Sequence, residues 1–179
     1  METSYATGAR RSIVDRMRGA AMFDVPTYEE VEHDTSATGQ AAVVVVLAAI
    51  ASGIGNAFRG GPGIIGGIVA SLLGWVIWSG ITYFVGTRVF KGTATWGELA
   101  RTLGFAQAPG LLLVAAIVPV LGWVLRLIVG LWMLGTGIVA IRQALDVDTG
   151  KAVMTALVGW LASLVVYMVL GGLFGLSFR

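Results

Sequence analysis

The chain has no cysteine and a single histidine among its 179 residues. Without thiols it can hold no disulfide framework, no cysteine metal site and no thiolate nucleophile. Charged residues are also scarce, at 12%, whereas hydrophobic residues make up 56%. The mean hydropathy of +0.84 exceeds what one soluble core of this size can bury. The sequence therefore predicts an all-α integral membrane protein.

Three apolar runs lack any Asp, Glu, Lys, Arg or His, namely residues 40–57, 64–86 and 152–175. A helix rises 1.5 Å per residue, so about 17 to 25 residues cross a hydrocarbon core of about 30 Å. Enzymes and ion-coupled transporters hold ionisable groups at such depths. We therefore predict three spans here, and expect no catalytic residues, no cofactor and no enzymatic activity.

A fourth apolar stretch, residues 108–141, is longer than one crossing needs and contains Pro119, Gly122 and Arg126. Proline cannot continue a helix ladder, glycine permits a turn, and an arginine in mid-bilayer is costly. The stretch is predicted to form two spans, residues 108–121 and 123–145, joined by a turn at Pro119 and Gly122. The total is five spans.

The segment 87–107 carries too much charge to be buried in lipid. Thr95 precedes Glu98 by three residues, the spacing of a capping box, and Trp96 and Leu99 share one face of the helix that would follow. We predict an interfacial helix within a cytoplasmic loop.

Residues 1–39 are rich in charge and poor in large apolar residues, which predicts a cytoplasmic tail. Within it Ile13, Met17, Ala20 and Ala21 recur at i, i+4, i+7 and i+8 among several arginines. This pattern is typical of a basic amphipathic helix on anionic lipid. A disordered basic tail fits the same residues.

Basic residues in short loops stay on the cytoplasmic side of a membrane. Nine fall in the predicted inner segments and three in the outer ones, which favours a cytoplasmic N-terminus and an external C-terminus. The candidate contacts to lipid headgroups or partners follow from this placement, although setting topology alone would also explain the cations. They are Arg10, Arg11, Arg16, Arg18, Arg88, Lys91, Trp96, Arg101, Arg142 and Lys151.

Small residues spaced four apart let helix backbones approach closely. Such spacing predicts either a seam for a partner or second copy, or packing within the chain. The residues concerned are Gly63, Gly67 and Ser71, then Gly66, Ala70 and Gly74, and finally Gly171 and Gly175.

His33 lies among Glu30, Glu32 and Asp34, but a stable metal site needs several ligands fixed in geometry, so a solvated histidine is the preferred interpretation. The cations are spread over the tail and loops and form no single basic face. Nucleic acid is therefore not an expected partner.

Several stretches together resemble the Yip domain family, over about residues 22–175. They are the segment 92–99, Leu103-Gly104-Phe105 with Pro109, residues 119–122, Trp132, residues 140–144 and residues 149–152. The resemblance implies five spans with a cytoplasmic N-terminus. Eukaryotic members carry an Asp-Leu-x-Gly-Pro motif, of which Asp24-Val25-Pro26 is at most a remnant. The chain thus resembles the prokaryotic branch, in the plasma membrane, and a Rab-type GTPase is not an expected partner.

The missing catalytic groups and the charged tail favour a non-enzymatic membrane scaffold or adaptor, with membrane lipids and other membrane proteins or itself as partners. Two alternatives remain. An accessory subunit of a larger complex would dock through the tail and the Trp96 helix. A small transporter or channel would need a polar path, for which the candidates are Ser79, Thr82, Tyr83, Gln107 and Tyr167.

Overall fold

The structure is a computed structural model that describes residues 11–57 and 63–173, without the side chains of 119, 120 and 166–173. Its described elements are all helices, which confirms the predicted all-α class. They are α1 (Ile13–Ala21), α2 (Val25–His33), α3 (Ala37–Gly55), α4 (Gly63–Arg88), α5 (Trp96–Phe105), the 3-10 helix η1 (Ala108–Ile117), α6 (Pro119–Ala144) and α7 (Thr149–Leu173).

Four helical segments are long and apolar enough to cross a membrane: Ala37–Gly55, Gly63–Arg88, Trp96–Ile117 and Leu121–Ala144. The predicted span 152–175 falls in α7, whose part with described side chains, Thr149–Val165, is a shorter apolar helix. These segments agree with the predicted multi-pass arrangement, but the third segment differs from the one that was predicted.

The third segment joins two elements that the sequence separated. The predicted capping box is present at the start of α5, where Glu98 N–H donates to Thr95 Oγ1 over 3.3 Å and Glu98 Oε2 accepts from Thr95 N–H over 2.7 Å. Beyond this start, most of α5 is buried within the protein. It packs among α2, α3, α4 and α6, because small residues such as Ala100 and Gly104 let neighbouring helices approach it.

The predicted turn at Pro119 and Gly122 forms the first turn of α6 instead. The break lies at Val118, which is extended, as is usual for a residue before proline. Proline suits the first position of a helix because its missing N–H needs no partner there. A Cβ on Gly122 would lie 2.5 Å from Ala116 O, so glycine allows the end of η1 to pack against α6.

The predicted tail is largely folded onto the protein. The amphipathic helix forms as α1, but its apolar face, with Ala20 fully buried, packs against α2, α5 and η1 rather than standing free on lipid. The following helix α2 buries Tyr28 and Val31. Residues 1–10, including Arg10, lie outside the described residues, as does Gly175.

Helix α3 and the α5–η1 segment run in the same direction at very short range. A Cβ on Gly104 would lie 2.7 Å from Ala41 Cβ, and one on Gly55 would lie 2.0 Å from Leu113 O. Both ends of the pair therefore depend on glycine.

We expect Gly104→Ala to destabilise the fold by about 1 to 3 kcal/mol, because the new methyl group overpacks the α3–α5 contact. The measurement is thermal unfolding of the detergent-solubilised protein, followed by loss of helical circular dichroism. Gly130→Ala is the matched control, since a Cβ there meets nothing within 4 Å. Equal melting temperatures for the two variants would contradict the tight packing.

Candidate functional site: the helical cap

Helices α1, α2 and α5 form a cap at the end of the bundle where α3 begins and α6 ends, and we refer to them as the helical cap. Seven of the 19 residues of the buried hydrophobic core lie on these three helices, and most of the others lie on the facing parts of α3 and α6. The cap also carries most of the acidic residues of the described chain. It is therefore the region where the sequence concentrates both buried apolar surface and charge.

Arg16 organises the polar interior of the cap. Its side chain is 1% exposed, yet it donates to Glu30 Oε1 over 2.7 Å, to Asp34 Oδ2 over 2.7 Å and to Gln40 Oε1 over 2.9 Å. Burial opposes its charge, but the hydrogen bonds to Glu30 and Asp34 outweigh this and raise its pKa. One guanidinium thus joins α1, α2 and the first turn of α3.

Arg101 holds the C-terminal end of α2 against α5. Its Nε donates to the carbonyl oxygens of Val31 and Glu32 over 2.9 and 3.1 Å, and its Nη2 donates to the Glu32 carbonyl as well. The last carbonyls of a helix lack partners within the helix, and a cation there also favours the helix dipole. Arg101 of α5 therefore supplies hydrogen-bond donors to the C-terminal carbonyls of α2.

Aromatic side chains attach the cap to α6. The Tyr28 hydroxyl lies 3.0 Å from Ala20 O and 3.2 Å from Thr136 O, and its burial raises its pKa. Trp132 Nε1 donates to Ala21 O over 2.7 Å. Both contacts fall well inside α6, so the α1–α2 hairpin lies alongside the bundle and does not merely cover its end.

The remaining predicted contact residues are distributed unequally. Arg11, Arg18, Arg88, Lys91, Trp96 and Lys151 are exposed, and Arg142 is half-buried. Arg11 also pairs with Asp24 and Glu30 at 3.0 and 3.3 Å. Because Arg16 and Arg101 are buried, they are unable to reach lipid headgroups without unfolding the cap. Sequence reasoning missed their structural role, since the partners lie far along the chain.

The small residues predicted as a packing seam lie on a loosely packed part of α4. A Cβ on Gly63 or Gly67 would meet nothing within 4 Å. With Ser71 they line a cavity of about 590 Å³ that opens between α3 and α4. Gly66 and Gly74 are half-buried and Ala70 is exposed. The closest glycine contacts of the described chain occur elsewhere, at Gly19, Gly55, Gly86 and Gly122.

The polar residues predicted for a transport path differ in how far they are exposed. Ser79 and Thr82 are buried, and Ser79 Oγ donates to Trp75 O over 2.8 Å. Tyr83, one turn after Ser79 on α4, is exposed. The side chain of Tyr167 lies outside the described residues.

One group of side chains in the cap could hold a metal ion. Glu29, Glu32 and His33 each place one ligand atom within 4.8 Å of the others. Burial raises the pKa of Glu32 to about 7, with a further increase from Glu29, Asp146 and Glu98. The pKa of His33 is raised by its hydrogen bond to the Glu29 carbonyl and by Glu32.

The four apolar segments and the helical cap define a multi-pass α-helical membrane protein. The Yip1 domain family model matches residues 22–171 of the chain. The chain therefore belongs to the Yip1 domain family, as its sequence motifs predicted. No curated protein and no solved structure matches the chain significantly.

We expect Arg16→Gln to destabilise the protein by about 3 kcal/mol, because it leaves Asp34 and Glu30 without their buried cation. Limited proteolysis should then cut residues 11–36 faster than in the unaltered protein. Arg18→Gln removes the same charge from the exposed side of α1 and serves as the control. Equal protection of the two variants would show that the Arg16 interactions do not hold the cap.

Proposed function

We propose that this Yip1 domain protein is a non-enzymatic membrane adaptor that binds other membrane proteins through α4 and presents the helical cap at the cytoplasmic face. The observation that carries the proposal is the exposure of α4, of which only 11% is buried in its most apolar stretch. Ile65, Val69, Leu73 and Val76 form an exposed stripe along it at helical spacing.

The chemistry of the spans supports a binding role over a transport role. Arg126 Nη2 donates to Gly55 O over 2.7 Å and to Ala116 O over 3.3 Å. Together with Arg101, it caps the carbonyl ends of neighbouring helices. The two arginines therefore serve packing, since Nη2 of Arg126 and Nε and Nη2 of Arg101 donate to backbone carbonyls.

The open cavity between α3 and α4 would allow a helix of a partner protein to approach α4 closely. Gly63, Gly67 and Ser71 lie on the side of α4 away from the exposed stripe, where they line the open cavity shared with α3. A helix of another membrane protein could approach the α4 backbone there without displacing side chains, which is how small residues promote association in lipid. An accessory subunit of a larger complex would use the same surface.

The topology that we propose has five crossings, with α7 as the fifth. The α5–η1 segment follows the direction of α3, whereas α4 and α6 connect back to the cap. Arg88, Lys91, Arg142 and Lys151 cluster near the loops at the cap end, which supports a cytoplasmic cap by the positive-inside rule. The plasma membrane of a prokaryote is the proposed location.

Single-cysteine labelling tests this topology directly, because the chain has no cysteine of its own. We expect a membrane-impermeant maleimide to label Ala57→Cys and Ser177→Cys in intact cells, and Thr35→Cys only after permeabilisation. Labelling of Ser177→Cys on the same side as Thr35→Cys would show an even number of crossings and overturn the five-span arrangement.

Photo-crosslinking in native membranes tests the adaptor surface. A photoreactive residue at Leu73, on the exposed stripe of α4, should give an adduct of defined mass with a partner protein. The control position is Leu161, which is similarly exposed on α7. Equal, lipid-only adducts at both positions would contradict the proposal. Solute flux through liposomes containing the folded protein would favour the transporter instead.

A further inference from the structure

The last turns of α2 present three candidate metal ligands on one face of the helix. Glu29, Glu32 and His33 stand at positions i, i+3 and i+4, which lie side by side on a helix surface. One ligand atom from each lies within 4.8 Å of the other two. The three side chains converge because α2 is helical. The sequence analysis predicted a tail in this region and no helix at these residues.

His33 is held in the tautomer that suits a metal ligand. Its Nδ1 lies 2.8 Å from the backbone carbonyl of Glu29. A carbonyl only accepts hydrogen bonds, so Nδ1 carries a proton, and in the neutral imidazole the free lone pair is then on Nε2. Metal-bound histidines commonly donate their other nitrogen to a carbonyl in this way.

Glu32 provides the independent observation that the cluster is more than a group of surface acids. The residue is only 6% exposed, and its Oε2 has no hydrogen-bond partner. A buried carboxylate oxygen without a partner is costly. Arg101 does not relieve this cost, because its donors are directed at the Val31 and Glu32 carbonyls.

Glu29 is held in place by residues at the end of α6. Gln143 Nε2 donates to Glu29 Oε1, and Gln143 Oε1 accepts from Arg142 Nε over 2.9 Å. The second oxygen of Glu29 remains available to a cation. Such outer partners orient ligands and are part of a metal site.

Several like charges lie around Glu32, in addition to the Arg101 guanidinium at its backbone carbonyl. Glu29, Glu98 and Asp146 act on it as like charges, from α2, α5 and the loop after α6, and His33 is the opposing group. A bound cation would compensate this local excess of negative charge.

We propose that Glu29, Glu32 and His33 bind one divalent ion of the Zn²⁺ class at the junction of α2 and α6. Two carboxylates and one imidazole form a mixed oxygen and nitrogen donor set that suits Zn²⁺ better than Mg²⁺ or Ca²⁺, which prefer oxygen ligands alone. Three protein ligands leave a position for water on a four-coordinate ion. Through Gln143, the ion would tie the end of α2 to α6.

The test is a Zn²⁺ titration of the full chain in detergent against a chromophoric chelator, after removal of any polyhistidine tag. We expect one Zn²⁺ per chain. Glu32→Gln and His33→Ala should weaken binding at least about 10-fold, and Gln143→Ala should weaken it about 10-fold or more. Asp148→Asn removes an exposed carboxylate outside the cluster and should bind as the unaltered protein does.

His33→Ala is the decisive variant, since its exposed side chain makes it the least disturbing to the fold. Because His33 is the only histidine, nitrogen NMR of labelled imidazole reports on this residue alone. Zn²⁺ should move the Nε2 signal while Nδ1 stays protonated. Absence of binding, or equal affinity in His33→Ala, would overturn the site. Unchanged affinity in Gln143→Ala would remove the positioning role of Gln143.

Discussion

Arg16 donates to Glu30, Asp34 and Gln40 from a position with almost no access to solvent. A buried cation without partners would be very costly. The buried position of α1 in the cap therefore depends on the hydrogen-bond partners that α2, Asp34 and α3 supply. The same requirement fixes the direction of α2. It thereby places Tyr28 against α6, Val31 and Glu32 under Arg101, and the cluster of Glu29, Glu32 and His33 beside Gln143.

At the apolar contacts, glycine residues allow helices and loops to pack closely. Gly55 and Gly104 allow α3 to lie against the α5–η1 segment, and Gly86 and Gly92 leave room for Leu145 where the loops of the cap meet. Gly63 and Gly67 are different, because they face open space along α4. The bundle of this Yip1 domain protein is therefore closely packed around α5 and loosely packed along α4.

Much of the helical outline could be predicted from residues close together in sequence. The apolar runs predicted the spans of α3 and α4 to within a few residues, and Thr95 with Glu98 predicted the start of α5. The partners of Arg16 could not be predicted this way, since Glu30 and Asp34 lie 14 and 18 positions away and meet it only in the fold. The hydrophobic pattern also could not distinguish the 3-10 helix η1 from an α-helix, because the segment is apolar throughout and has no periodicity.

His33 shows how an element assignment controls a site prediction. As part of an extended tail it has no fixed neighbours, and Glu30, Glu32 and Asp34 are as close as any. On a helix, Glu29 and Glu32 become its neighbours, while Glu30 and Asp34 turn towards Arg16. Acidic residues that look interchangeable in the sequence therefore belong to two separate clusters.

The winding of η1 has a consequence for the reach of its segment. Ten residues of 3-10 helix extend about 20 Å, against about 15 Å for the same residues in an α-helix. A change of about 5 Å is comparable to the difference in hydrocarbon thickness between thin and thick cellular membranes. The 3-10 winding therefore gives the Trp96–Ile117 segment about 5 Å more reach than an α-helix of the same residues would have.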